Sequence, residues 1–332
     1  MEIIAKLGTL LGLSFVSGIN LYATIAVVGF CTKYRLVDGL PREFDVLAND
    51  AVIFVAVLLY VMEFLVDKIP GLDTLWDFIH TLIRPLGGAM LALMQVGEAS
   101  PALEVIVFML GASLASAAHV TKAGTRLIIN TSPEPVSNFV VSLAEDAGAF
   151  GLAYVSLAYP GIGLVITLVL LIGIAVMMPL IFRTVRMLFS AIWFRLKCAL
   201  WKEAAWTRTR SPSYALDAFF DEVKTEGEKI IWTARAYALR IPQVPRSTAL
   251  DVLITSNAIY LLYRRRFRRQ SVRIPLEDIE LQKVYPGILM SRWMIRGPRR
   301  DWLLNLYRPL AQTLPVDLKG MVTPDGRLEP AY

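Results

Sequence analysis

Charged side chains are scarce in the first half of this chain, and they fall at spacings that a helix would gather. Asp73, Asp77, His80 and Arg84 are separated by four, three and four residues, so one helical face collects all four. His119, Lys122 and Arg126 form a second stripe that continues an apolar run. Acids accompany each stripe: Glu63 and Asp67 before the first, Glu145 and Asp146 after the second. Asn20 and Asn138 add amides within otherwise apolar sequence. An ionisable group at membrane depth costs several kcal/mol, so by default it marks a substrate, ion or proton pathway. Cations beside broken helix ends suit a phosphate or carboxylate, and buried acids can exchange protons. Lys122 and Arg126 are thus candidate anion ligands, assisted by Arg84, His119, Asn20 and Asn138. Glu63, Asp67, Asp77, His80, Glu145 and Asp146 are candidates for proton or ion coupling. The plainer alternatives are a cytoplasmic loop of paired surface charges for the first stripe and snorkelling at the head groups for the second.

The elements that must hold these groups are apolar. Leu164–Phe182 is almost uninterrupted hydrocarbon, and roughly 20 such residues cross the ~30 Å core of a bilayer. Six candidates emerge: Leu7–Phe30, Ala51–Val66, Leu82–Val96, Ala102–Ala118, Val136–Tyr159 and Gly161–Phe182. Mean hydropathy is +0.53, but the average hides a partition. Up to Phe182 there are 8 Lys and Arg against 14 Asp and Glu, and beyond it 26 against 14. A lipid-embedded half followed by a basic, water-soluble half is the reading, with the basic half cytoplasmic. Met1–Phe30 opens on an acid and has no A-x-A-like site, so it is expected to be retained rather than cleaved. Cys31 and Cys198 are not expected to pair, and no cysteine spacing suits a metal; no cofactor is implied.

The second and third segments are short, and the first carries Ser14, Ser17, Gly18 and Asn20 in mid-run. Such interruptions point to broken or re-entrant helices that line protein or a cavity. Leu11-Gly12-Leu13-Ser14-Phe15-Val16-Ser17 reads against Leu110-Gly111-Ala112-Ser113-Leu114-Ala115-Ser116 at one constant offset, closed by Asn20 and His119. Two three-element repeats, at about 7–97 and 102–182, would then be inserted with inverted topology. Six crossings put both ends on one side, and Arg183, Arg186, Arg195 and Lys197 make that side cytoplasmic. Pro85 is expected to kink or restart its helix.

Domain limits follow: a transmembrane part at 1–186, an interfacial amphipathic helix and linker at 187–226, a β domain at 227–320 and a tail at 321–332. Phe189–Trp206 is the amphipathic stretch. After Leu216–Lys224 the period turns strand-like over seven short runs, from Ile230–Leu239 to Trp302–Tyr307, and Arg308–Leu314 could close them as a helix. Arg264, Arg265, Arg266, Arg268 and Arg269 lie at a turn between two of those runs. They suit anionic lipid head groups, each basic residue near such a surface being worth about 1 kcal/mol. No nucleic-acid partner is expected, because a tethered domain meets lipid first.

The leading function is a transporter or channel-like protein moving an anionic solute or lipid head group, with proton coupling. A non-transporting scaffold whose β domain binds lipid or a partner is the alternative. A lipid-modifying enzyme is the third reading, with His119 beside Ser132 or Glu145; no HExxH, G-x-S-x-G or Gly-rich phosphate loop supports it. The chain could also form a homo-oligomer.

Three runs carry a resemblance: Ser17-Gly18-Ile19-Asn20-Leu21-Tyr22-Ala23-Thr24, the segment from Glu63-Phe64 to Trp76-Asp77, and His119-Val120-Thr121-Lys122-Ala123-Gly124-Thr125-Arg126 through Pro135. Over about residues 5–180 they resemble an uncharacterised bacterial membrane family, a domain of unknown function. The resemblance implies a multi-pass inner-membrane protein and no particular substrate. Leu253-Ile254-Thr255-Ser256-Asn257-Ala258-Ile259-Tyr260 and Ser271-Val272-Arg273-Ile274-Pro275-Leu276-Glu277-Asp278-Ile279 resemble bacterial PH-like domains. That likeness implies a small β-barrel closed by a helix, often membrane-proximal. The overall expectation is an α-helical polytopic domain plus a small β-rich PH-like domain.

Overall fold

The computed structural model describes residues 2–69, 72–129, 135–200, 214–225, 227–265 and 268–315, and no side chains at 2, 127–129, 135–138 or 214–217. The chain divides into two compact units, Met1–Phe182 and Arg183–Tyr332.

The first unit is helical: α1 (Glu2–Ile19), α2 (Leu21–Lys33), α3 (Asp50–Val66), α4 (Leu72–Val96), α5 (Pro101–Ile129), α6 (Pro135–Ala158) and the start of α7 (Pro160–Leu200). Its polarity is inside-out relative to a water-soluble bundle. On α4, Asp73, Asp77, His80 and Arg84 are buried, while Phe78 and Leu82 are 77% and 75% exposed. Phe54, Leu58 and Leu65 of α3 and Val169, Ile172 and Val176 of α7 also face outward. A polar stripe inside and an apolar one outside is the arrangement lipid demands. Three helical stretches among the described residues are long and apolar enough to cross a membrane, at Pro101–Arg126, Phe139–Ala158 and Pro160–Leu200.

Several expectations need correction. The first apolar segment is two helices, because Asn20 adopts extended φ and ψ between α1 and α2 and its side chain caps α2. The pair forms a V. Lys6 and Thr9 of α1 and Leu36 to Pro41 beyond α2 line one cleft of about 780 Å³, together with Gln95 and Tyr159. The first charged stripe is part of helix α4, not a loop, and Pro85 is carried inside that helix without ending it. α7 continues through Leu200, so no separate interfacial helix begins at Phe189 in the described residues; Trp201 and Trp206 lie outside them.

The orientation of the repeats also differs from the expected inversion. Leu10 clusters with Val107, and Gly18 lies against Ala115 and Ala118, so α1 and α5 run parallel. The small residues at matching positions serve close packing of same-direction helices. α7 starts beside Gly8 and reaches Gly124 of α5 at Ile181. The beginning of α1 and the end of α7 in this unit are therefore at opposite ends of the bundle, not on one side.

The second unit is a seven-stranded antiparallel sheet in the order β4-β3-β2-β1-β7-β6-β5. The strands are β1 (Ile230–Arg240), β2 (Ala249–Thr255), β3 (Ala258–Arg265), β4 (Arg268–Pro275), β5 (Leu281–Tyr285), β6 (Met290–Arg296) and β7 (Asp301–Tyr307). All seven fall on the strand-like runs of the sequence. One face holds the core around Trp232, Val252, Leu261, Trp293 and Leu304. α8 (Tyr214–Val223) covers part of the other through Phe220 on Leu253, Tyr260 and Leu262. A short α9 (Arg308–Ala311) follows the last strand. This is an antiparallel sheet domain. The C-terminal turns of α7 attach to it through Ser190, which bonds the Tyr237 hydroxyl at 2.6 Å. Burial pushes the Tyr307 phenol above its ordinary range, so it stays a neutral hydroxyl that donates to Ser190 at 3.1 Å.

Candidate functional site

The α1–α2 break leaves backbone groups without helical partners, and charged side chains fill the vacancy. At the end of α1, the Ile19 carbonyl accepts from Lys122 Nζ at 2.9 Å and the Gly18 carbonyl from Arg84 Nη1 at 3.4 Å. At the start of α2, Ala23 N–H donates to Asn20 Oδ1 at 2.9 Å. Cations therefore meet the negative end of α1, as the helix dipole favours. Because the break turns the chain inward, this happens inside the bundle rather than at its surface.

Around the break, four helices contribute one continuous network. Glu63 of α3 is fully enclosed, and its Oε1 accepts from both Arg84 Nη2 and Lys122 Nζ at 2.9 Å. Lys122 also reaches Asp67 Oδ2 at 3.3 Å. Arg126 clasps Asp67, with Nη1 to Oδ1 at 2.5 Å and Nη2 to Oδ2 at 2.7 Å, and donates from Nη2 to Glu145 Oε2 at 2.6 Å. Asp77 lies 3.3 Å from Arg84 Nη1. Arg84 stands at the midpoint of α4 and Asp146 near that of α6.

The histidine rings are held in fixed orientations. His80 Nδ1 lies 2.7 Å from the Trp76 carbonyl, which can only accept, so Nδ1 carries a proton, and Nε2 lies 2.8 Å from the Tyr22 hydroxyl. Arg84 Nη1 lies 2.8 Å from His119 Nδ1; Arg can only donate, so the His119 proton sits on Nε2, facing Thr81 Oγ1 at 3.3 Å. Thr81 passes its own hydroxyl hydrogen to the Asp77 carbonyl at 3.0 Å.

Two members stand apart. Asp146 is buried, and Asn20 Nδ2 bonds it at 3.1 Å; among the described residues no Lys or Arg lies in ion-pair range and its Oδ2 has no partner. Glu145 is the accessible edge, its side chain 18% exposed where the other acids paired with Arg84, Lys122 and Arg126 are at 5% or less. The buried acids also outnumber the buried cations. Among the described residues, Glu63, Asp67, Asp77 and Asp146 are enclosed with Arg84, Lys122 and Arg126. Isolated buried charge is costly, so the surplus calls for a proton or a bound cation.

Asn20, Glu63, Asp67, Asp77, His80, Arg84, His119, Lys122, Arg126, Glu145 and Asp146 thus come together from two sequence clusters. Lys122 and Arg126, expected to be open to an anion, are occupied by carboxylates of the protein itself. The side chain of Asn138, and Asn130, Ser132 and Glu134, lie outside the described residues. Tyr22 and Thr81 complete the network without having been singled out by the sequence. Thr81 could have been found, since it lies four residues after Asp77 and three before Arg84 on the same face. Of the arginine run, Arg264 and Arg265 end β3 and Arg268 and Arg269 begin β4, all exposed; Arg266 lies outside the described residues.

A family model described as a domain of unknown function, DUF4126, matches residues 7–180. No curated protein matches the chain. Solved structures with some similarity include the truncated linker-DH/PH domains of p115-RhoGEF, at 8% identity over 76% of this chain and 66% of that one, TM-score 0.19. A Vav1 exchange-factor structure shares 8% identity over 94% of this chain and 81% of that one, TM-score 0.19. The DH/PH fragment of PDZRHOGEF with human RhoA shares 12% over 91% and 90%, TM-score 0.18. Likeness at that level carries no argument.

Proposed function

We propose, for a chain that belongs to this DUF4126 family of unknown function over residues 7–180, that its membrane unit is a proton-coupled transporter for a small anionic solute. The supporting observation is Asp146: a buried carboxylate in mid-helix, beside the broken α1–α2 pair, with no cation in ion-pair range and one oxygen unpartnered among the described residues. Asp146 carries the coupling proton. Arg126 takes the anion, which displaces the accessible Glu145 carboxylate from its guanidinium. Glu63, held by Arg84 and Lys122, keeps the cations aimed at the break. The V of α1 and α2 is a re-entrant pair that dips from one face to the network. Its open end is the periplasmic face, because the basic residues after Phe182 put the end of α7 at the cytoplasmic one. In a cysteine-free background, Gly39→Cys should label from outside intact cells; labelling only after lysis contradicts the orientation.

Transport is tested in proteoliposomes loaded with a pH dye and challenged with phosphate, acetate, succinate or chloride. Wild type acidifies the lumen with at least one of these anions, and Asp146→Asn loses that signal by roughly tenfold or more while remaining folded. Acidification by the variant at the wild-type rate, or by no anion above protein-free vesicles, overturns the reading.

A further inference from the structure

The second unit contains a basic groove of about 880 Å³, a size suited to a small ligand. It lies between the C-terminal turns of α7 and the outer face of β1, β2 and β3. Arg183 and Arg186 contribute from α7, Arg235 from β1 and Arg264 from β3, and Asp251 is the one acid in the lining. Asp251 stands opposite Arg235 in the β1–β2 register. Elsewhere in this unit arginines find carboxylates: Arg273 lies 3.5 Å from Glu228, and Arg296 lies 3.5 Å from Asp301. None of the four groove arginines has an ion pair among the described residues. Arg183 Nε is buried there without a hydrogen-bond partner.

Register adds a second, independent oddity. Arg264 is the direct cross-strand partner of Arg269, and Arg265 of Arg268. Like charges directly opposite one another destabilise a hairpin, and cross-strand partners share a face, so Arg269 stands on the groove side with Arg264. Ser247, also in the lining, holds a left-handed φ of 61°. Strained non-glycine backbone of that kind concentrates where a ligand is gripped. Guanidiniums without an ion pair among the described residues, gathered around one cavity, match a tetrahedral oxyanion, to which arginine can donate two parallel hydrogen bonds.

We propose that this groove binds a phosphate ester. Arg183 and Arg264 hold the phosphate from opposite walls, and Arg186 and Arg235 neutralise remaining charge. Two sources share that chemistry: the head group of an anionic phospholipid, and a soluble phosphorylated metabolite. Arg183 directly follows Phe182, the last exposed apolar residue of the first unit's part of α7.

The test uses the full-length chain purified in detergent, delipidated, and titrated with short-chain phosphatidylglycerol or with glycerol 3-phosphate, binding being read by native mass spectrometry. Arg183→Gln/Arg264→Gln should weaken phosphatidylglycerol binding roughly tenfold to a hundredfold, while Arg296→Gln, outside the groove, leaves it unchanged. Arg183→Lys/Arg264→Lys should recover part of the affinity, and a thermal unfolding scan of each variant confirms that it is folded. Phosphatidylglycerol bound without competition by glycerol 3-phosphate identifies a lipid site. Equal binding of the soluble ester identifies a metabolite site, and either supports the groove. Binding of neither probe, or equal loss in Arg296→Gln, overturns it. The result does not depend on whether the membrane unit transports anything.

Discussion

At Arg84 one guanidinium is shared by Glu63, Asp77, His119 and the end of α1. Buried ion pairs of this kind add little net stability when intact but are costly to break, because the surviving partner is left charged and unsolvated. Arg84→Ala should therefore lower stability by about 3–5 kcal/mol. Arg84→Ala/Glu63→Ala should cost less than the sum of the two single changes, since neither partner is then orphaned. Thermal unfolding of the four proteins in one detergent provides the cycle, and strict additivity would contradict a shared network. The residue scale is also where sequence was most informative. Spacings of three and four chose the inward-facing polar residues on α4 and α5 before any tertiary contact was known. Which acid meets which cation was not legible, because Glu63, Asp67 and Arg126 meet across helices whose approach depends on many other side chains.

Among elements, the decisive feature is how closely α1, α4 and α5 approach. A Cβ on Gly18 would collide with the Ala115 carbonyl, and one on Gly111 would come within 2.7 Å of Ala92 Cβ and 2.8 Å of the Gly88 carbonyl. Backbones this close bring Lys122 within reach of the Ile19 carbonyl. Gly18→Ala should cost about 1–3 kcal/mol as overpacking. Gly151→Ala, where a Cβ would meet nothing within 4 Å, should be neutral or stabilising by up to about 1 kcal/mol through helix propensity. Thermal unfolding separates them, and equal shifts in both variants would argue against the close approach. The repeated Leu-Gly and Ser positions were visible in the sequence, but their orientation was not. Small-residue packing looks the same whether two helices run parallel or antiparallel. The break at Asn20 could be read from polar residues in an apolar run, whereas the reversal depends on the φ and ψ of that single residue. Pro85 misled in the other direction as a restart point, because it is carried inside α4. Neighbouring helices can satisfy backbone groups that a proline frees, so proline punctuation weakens inside a membrane bundle.

For the molecule as a whole, the two units obey opposite solvent rules. The first buries charge and exposes hydrocarbon, and the second buries an apolar sheet face and exposes arginine. The partition of charge at Phe182 showed this at once, and the strand-like runs located all seven strands to within three residues at either end. The membrane unit was legible as a set of polar faces but not as a mechanism, which rests on Asp146 being buried with no cation in ion-pair range among the described residues. That assignment is tested most directly by an infrared difference spectrum of the reconstituted full chain, taken with and without the anion that acidifies proteoliposomes. A carboxylic C=O band should appear in the difference and vanish in Asp146→Asn. A spectrum with no carboxyl signal, or the same band in the variant, would contradict the assignment of the coupling proton to Asp146.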